Sequence, residues 1–187
     1  MTSIWDGTKV RLRGIEPEDW QAFMRFDQFS ADMRSVDLIH PPRSAAGYRR
    51  WATDRATQPA SDDEFQLAIE SLSEQIVVGA LSTTNIDQRA GRFSYGIGIG
   101  RDYQRRGFAS DAIVVLLRYM FGERRFHKCG VGIYAFNEAS INLHEKLGFQ
   151  VEGRLRDHEY FAGRHHDVVI MGVTIAEFTE RYPLPDV

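Results

Sequence analysis

Polar and apolar positions alternate with a period of two along much of this chain, and between those stretches the period lengthens to that of a helix. Residues 8–12 read as a first strand, and Pro17 followed by Glu18 and Asp19 opens a helix carrying Trp20, Phe23 and Met24. A loop is expected next. Pro41 and Pro42 stop whatever precedes them, and Ser44 suits the N-cap of a second helix holding Tyr48, Trp51 and Ala52. Residues 59–63 read as a loop. Segments 64–70 and 75–84 read as paired strands, and a polar turn at 85–91 before a strand at 92–99 completes an antiparallel meander.

The second half changes rhythm. Ile113, Leu116, Leu117, Met120 and Phe121 recur at i, i+3, i+4, i+7 and i+8, one apolar face of a helix over 109–121 that Gly122 helps to end. In 128–135, Cys129, Val131, Ile133 and Ala135 share one side of a strand, while Gly130 and Gly132 leave the other nearly bare. A short helix runs from Asn137 or Glu138 to Leu147, with Gly148 as its stop, and 149–155 and 167–173 read as final strands before a partly helical tail from Thr174. The fold class is mixed α/β.

Composition narrows the setting. At 187 residues, 43% hydrophobic and 12% aromatic, the chain reads as one domain over 1–187 with a full core. Its net charge of -3 argues against general binding of nucleic acid, which wants a basic face. A lone Cys129 cannot form an internal disulfide, the first residues lack a signal-peptide pattern, and no long apolar run suggests a membrane span. The expectation is a cytoplasmic protein without nucleic-acid or membrane partners, homodimerisation staying open.

Candidate chemistry lies between the strand at 92–99 and the helix at 109–121. Gln104-Arg105-Arg106-Gly107-Phe108-Ala109 is a basic, glycine-bearing turn into a helix, whose first N–H groups lack intrahelical partners and carry the positive end of the dipole. Gly107 lets a phosphate approach them, and Arg105 and Arg106 add charge. About 30 residues on, Asn137, Ser140, His144, Lys146, Gly148 and Phe149 fall in the order Asn-x-x-Ser-x-x-x-His-x-Lys-x-Gly-Phe. Together the two segments point to acyl transfer from coenzyme A. The run Gly96-Ile97-Gly98-Ile99-Gly100 fits neither a dinucleotide loop nor a Walker loop, and His158, His165, His166 and Asp167 match no zinc spacing, so no metal is expected.

These residues resemble the GNAT superfamily of acetyl-CoA-dependent N-acetyltransferases, whose pyrophosphate signature is matched by Gln104, Gly107 and Ala109. Within it the chain looks most like the ribosomal-protein N-terminal and spermidine acetyltransferases, on Lys9-Val10-Arg11-Leu12-Arg13, Glu159-Tyr160-Phe161-Ala162-Gly163 and His166-Asp167-Val168. The resemblance implies a twisted, mostly antiparallel sheet of about seven strands with helices on both faces. It also implies a splayed strand pair, where pantetheine amides meet backbone groups of Ile97, Gly98 and Ile99, with Gly96, Gly98 and Gly100 keeping the surface open. N–H groups of Arg105, Arg106, Gly107, Phe108 and Ala109 would take the pyrophosphate. Asn137 would hold the pantetheine arm, and Ser140 and His144 would face the thioester.

The implied reaction is direct attack by a neutral amine in a ternary complex. An α-amino group of pKa near 8 loses roughly 1.4 kcal/mol to protonation at pH 7, an alkyl amine near 10.4 about 4.6. By resemblance, Glu159 drains the amine proton through a water with Ser140 assisting, and a backbone N–H near Ile99 meets the thioester oxygen. His144 stands where many relatives have a tyrosine that protonates the thiolate, and imidazole could do the same. For the acceptor, Asp32, Asp37, Asp62, Asp63, Glu64 and Glu70 favour a cationic amine, whether protein N-terminus, polyamine or amino sugar. Ser82, Thr83 and Thr84 offer no carboxylate to a polyamine and tilt the reading toward a peptide or small metabolite. A non-catalytic coenzyme A-binding sensor is the alternative of another class.

Overall fold

The computed structural model describes residues 3–36, 39–58 and 63–184. Seven strands hydrogen-bond in the order β1-β2-β3-β4-β5-β7-β6: β1 Val10–Arg13, β2 Gln66–Ser71, β3 Val77–Asp87, β4 Arg92–Ile99, β5 Lys128–Tyr134, β6 Gln150–Phe161 and β7 Arg164–Thr174. Pairing is antiparallel between β1 and β2, β2 and β3, β5 and β7, and β6 and β7, and parallel between β4 and β5. This is the mixed, mostly antiparallel sheet expected. The helices are α1 Trp20–Phe26, α2 Ser30–Val36, α3 Ala45–Thr57, α4 Phe108–Gly122, α5 Glu138–Lys146 and α6 Ile175–Arg181. None of the described helices is long and apolar enough to cross a membrane.

Contacts divide the chain into two compact units, one of residues up to Thr84 with Gly96–Val115, the other of Asn85–Tyr95 with residues from Leu116 on. In the first, Pro17–Asp19 forms a 3-10 turn into α1, and Ser44 caps α3 by accepting the N–H of Gly47 at 3.1 Å. Ile15, Ala22, Phe23, Tyr48, Ala68 and Val77 bury together. Thr83 donates its hydroxyl to the Asp63 carbonyl at 2.5 Å and accepts the Phe65 N–H at 2.9 Å, so it latches β3 to the segment that leads into β2. α2 lies where a loop was expected, because its polar sequence SADMRSV carries no apolar period.

In the second unit Phe93, Phe121, Phe126 and Phe178 meet edge-to-face or tilted at centroid distances of 5.2 to 5.9 Å. Cys129 is buried there, which pushes its thiol up from the ordinary value and leaves it a small hydrophobe. The β4–β5 pairing holds only at Arg92 with Lys128 and Phe93 with Cys129, so the strands part almost at once. α4 departs from the single-face reading. Ala112, Val114 and Val115 are buried as well as the five residues of the apolar stripe, so the helix is enclosed on most sides.

β6 and β7 are longer than expected and form one hairpin closed by Ala162 and Gly163, both left-handed at φ 52° and 79°. Two consecutive positive φ values match the twist of the strands they join. The turn fixes the register Phe161 with Arg164, Tyr160 with His165 and Glu159 with His166.

Candidate active site

In the first unit the expected phosphate loop is built as a cradle. Gly107 sits at φ 86° and Arg105 at 60°, conformations that turn the chain sharply into α4. Among the described residues no backbone carbonyl accepts the N–H of Arg105, Arg106 or Gly107, and Phe108 and Ala109 open the helix, whose N–H groups there have no intrahelical acceptor. Gln104 ties the loop to the end of β4 by donating Nε2 to the Ile99 carbonyl at 3.1 Å. The residues thus fit a diphosphate: exposed amide donors, a cradle a Cβ would fill, and cations alongside.

The cations differ from those the sequence suggested. Arg106 pairs with Glu74 and lies over the Phe108 ring at 4.8 Å, so its charge is already engaged. Lys9, noted only as part of an opening motif, brings Nζ to 2.8 Å from the Arg106 carbonyl. A Cβ on Gly107 would lie 2.8 Å from that ammonium. No local pattern could have revealed a contact spanning 97 residues.

Lys9 is held there by Asp111 in the first turn of α4. One carboxylate oxygen accepts the N–H and hydroxyl of Thr8 at 3.0 and 2.9 Å, the other the N–H groups of Lys9 and Val10 at 2.7 and 2.9 Å. Burial alone would raise the Asp111 pKa, but the N–H donors of Lys9, Thr8 and Val10 and the Thr8 hydroxyl hold it below the ordinary value.

The expected open glycine surface is only partly present. A Cβ on Gly96 would meet nothing nearer than the Ser82 hydroxyl at 3.8 Å, whereas one on Gly100 would strike the Phe26 ring at 2.3 Å. Gly100 is therefore a packing glycine. Ile97, Gly98 and Ile99 are each partly exposed.

In the second unit Asn137 caps α5, its side-chain oxygen accepting the Ser140 N–H at 3.2 Å. Ser140 is partly exposed one turn before His144. The expectation that His144 supplies the proton finds no support in its surroundings. The residue is 3% exposed, with Nδ1 2.7 Å from the Ser140 carbonyl and Nε2 2.8 Å from the Tyr95 hydroxyl. A carbonyl only accepts, so Nδ1 carries the hydrogen and the Nε2 lone pair receives the Tyr95 proton. Burial lowers the His144 pKa, against the opposing pull of the Ser140 carbonyl, so the ring is neutral at pH 7 and its one N–H is committed to the helix. The His144 ring packs between Tyr95 and Phe149.

The energetic consequence is specific. His144→Ala would leave the Tyr95 hydroxyl buried without an acceptor and open a cavity, a loss of about 2 to 4 kcal/mol, while folded variant at low temperature should keep turnover within about threefold. Denaturant midpoints and rates on the same preparation check this, and a hundredfold fall in turnover of folded protein would return His144 to the chemistry. Because the folded pKa lies below 6.5, the unfolded chain binds the extra proton first. Stability should fall as pH drops below about 6.5, and the variant should lose that dependence.

Glu159 lies near the tip of the hairpin, its side chain 42% exposed, opposite His166. Between Leu155 and Glu159 the register slips, three residues of β6 facing Asp167 alone. Asp167 pins this bulge by accepting the Asp157 N–H at 2.9 Å and the Arg154 Nε at 2.6 Å, which together hold its pKa below the ordinary value. Beside Glu159, Phe161 stacks on His166 at 3.9 Å and Phe136 meets the same imidazole edge-on at 5.6 Å. Sequence spacing could not supply this aromatic floor, since Phe136 comes from beyond β5.

Comparison with known proteins fits this geometry. The family model described as an acetyltransferase (GNAT) domain matches residues 9–150. The SPbeta prophage-derived uncharacterized N-acetyltransferase YokL of Bacillus subtilis is 37% identical over 177 residues, covering 94% of this chain and 96% of that protein. The ribosomal protein uS5-alanine N-acetyltransferase of Escherichia coli is 25% identical over 116 residues, 62% of this chain and 60% of that protein. The spermidine N-acetyltransferase of Vibrio cholerae, solved with CoA and spermine, shares the fold at a TM-score of 0.75 and 21% identity, over 90% of this chain and 97% of that one. The chain belongs to the GNAT acetyltransferase family, beside the ribosomal-protein and spermidine N-acetyltransferases, and is an acetyl-CoA-dependent N-acetyltransferase.

Proposed function

We propose that this chain, acting as a single acetyltransferase domain, acetylates a primary amine, a protein N-terminus or a small amine, by direct attack in a ternary complex. Acetyl-CoA supplies the activated acetyl group. The amides of residues 105–109 bind the diphosphate with Lys9 and Arg105 as neighbouring cations, backbone groups of Ile97, Gly98 and Ile99 hold the pantetheine arm, and Asn137 orients its far end. Glu159 removes the amine proton through a water, and Ser140 assists. With His144 committed elsewhere, water protonates the departing thiolate. The observation that carries this reading is the left-handed Gly107 turn, which presents unpaired amides at the start of α4.

Acetyl-CoA at one hundred times its dissociation constant should stabilise the protein by about 2.7 kcal/mol, measured by thermal unfolding. Absence of any shift at millimolar ligand sinks the assignment. Lys9→Met should weaken acetyl-CoA binding about three- to tenfold, Lys9→Arg should preserve it, and S-acetylpantetheine, which lacks phosphate, should bind both variants like the native protein. Equal weakening for the two ligands would make Lys9 structural only.

A further inference from the structure

Two of the carboxylates that seemed to favour a cationic acceptor are already occupied. In the first unit Asp32 is held by the Arg101 guanidinium at 2.9 and 3.0 Å, and Glu70 by Arg13 at 2.6 Å. Asp63 is buried, and Asp37 and Asp62 lie outside the described residues. A polyamine site needs several spaced carboxylates to match its charges. Among the described ones, Asp32 and Glu70 are already paired with arginines.

The hairpin that carries Glu159 brings an unpaired cation close to that carboxylate. A cavity of about 340 Å³ opens in the second unit among Phe136, Arg154, Arg164, His165, His166 and Asp167. Asp167 is consumed by Arg154 and by the bulge amide. Arg164 is exposed and makes no ion pair with any described residue. The floor is the apolar edge of Phe136, itself 49% exposed, against His166. Because His166 faces Glu159 across the strand pair, the cavity and the carboxylate adjoin on one hairpin.

The Arg164 guanidinium fork, free to bind over an apolar floor, matches a carboxylate in shape and charge. Resting on the acetyltransferase reading above, we propose that this cavity receives a carboxylate of the acceptor, so that the preferred substrate is a primary amine bearing an acidic group. The amine points to Glu159 and the acid to Arg164. Two sources share this chemistry: a free acidic amino acid, and a peptide N-terminus followed by acidic residues.

The test is kcat/KM for four acceptors: an alanyl peptide with aspartates at its second and third positions, the same peptide with lysines there, free glutamate, and spermidine. The aspartyl peptide or glutamate should exceed the lysyl peptide and spermidine at least tenfold, with the gap narrowing at high salt, and whichever of the two leads identifies the source. Arg164→Glu should erase or invert the preference while leaving acetyl-CoA protection against heat intact, which also shows the variant folded. A preference for spermidine or the lysyl peptide, or an Arg164→Glu variant with unchanged ratios, overturns the proposal. If every amine fails although acetyl-CoA binds, the acetyl-transfer reading falls and this one with it.

Discussion

Glu159→Gln is expected to lower turnover about 10²-fold or more near neutral pH, with acetyl-CoA affinity barely altered. Glutamine keeps the shape and the hydrogen-bonding length but cannot take a proton. The hairpin register, set by the Ala162-Gly163 turn, does not depend on the charge, so a folding defect should not obscure the result. The loss should shrink as pH rises and the amine deprotonates on its own, more steeply for an α-amino acceptor near pKa 8 than for an alkyl amine near 10.4. Rates across pH with saturating acetyl-CoA provide the measurement. Full activity in the glutamine variant would move the base to another group.

Asp111→Ala should cost about 2 kcal/mol of stability, because it removes the acceptor of the buried Val10 N–H at the start of β1 and of the exposed Thr8 and Lys9 N–H groups just before it. Asparagine should not rescue it. Its amide nitrogen would face two donors where the native carboxylate presents an acceptor to each pair. The anchor also places Lys9 on the phosphate loop, so acetyl-CoA binding should weaken in step with the fold. With a folded pKa held below the ordinary carboxylate value, the carboxylate's contribution is complete above that value and disappears as pH falls through the folded pKa. Denaturant unfolding of both variants at pH 7 and in acid checks these expectations, and a loss under 1 kcal/mol for the alanine variant would show that β1 is held by its pairing with β2 alone.

The elements that the sequence determined by itself are those whose cause is local. The Ser44 cap, the start of α5 at Asn137 or Glu138, the Gly107 turn, the bounds of β4 and the stop at Gly148, which lies at φ 97°, each depend on residues nearby in sequence, and all are where the pattern placed them. α2 escaped because a polar helix leaves no apolar period to read. The lengths of β6 and β7 escaped because Arg154 to Phe161 is polar on most of both faces, and its pairing is fixed by the turn and by Asp167 rather than by a buried stripe.

Only the tertiary structure decided which charges and protons are available, since that depends on partners far apart in the chain. Arg106 and Asp32 read from sequence as free charges, and Glu74 and Arg101, 32 and 69 residues away, neutralise them. His144 read as an acid by its place in the motif, until Tyr95, 49 residues earlier, claimed its lone pair and burial removed its charge. Sequence spacing fixes which residues share a turn or a face. Burial and long-range pairing fix whether a side chain keeps its proton, and with it what chemistry that side chain can perform.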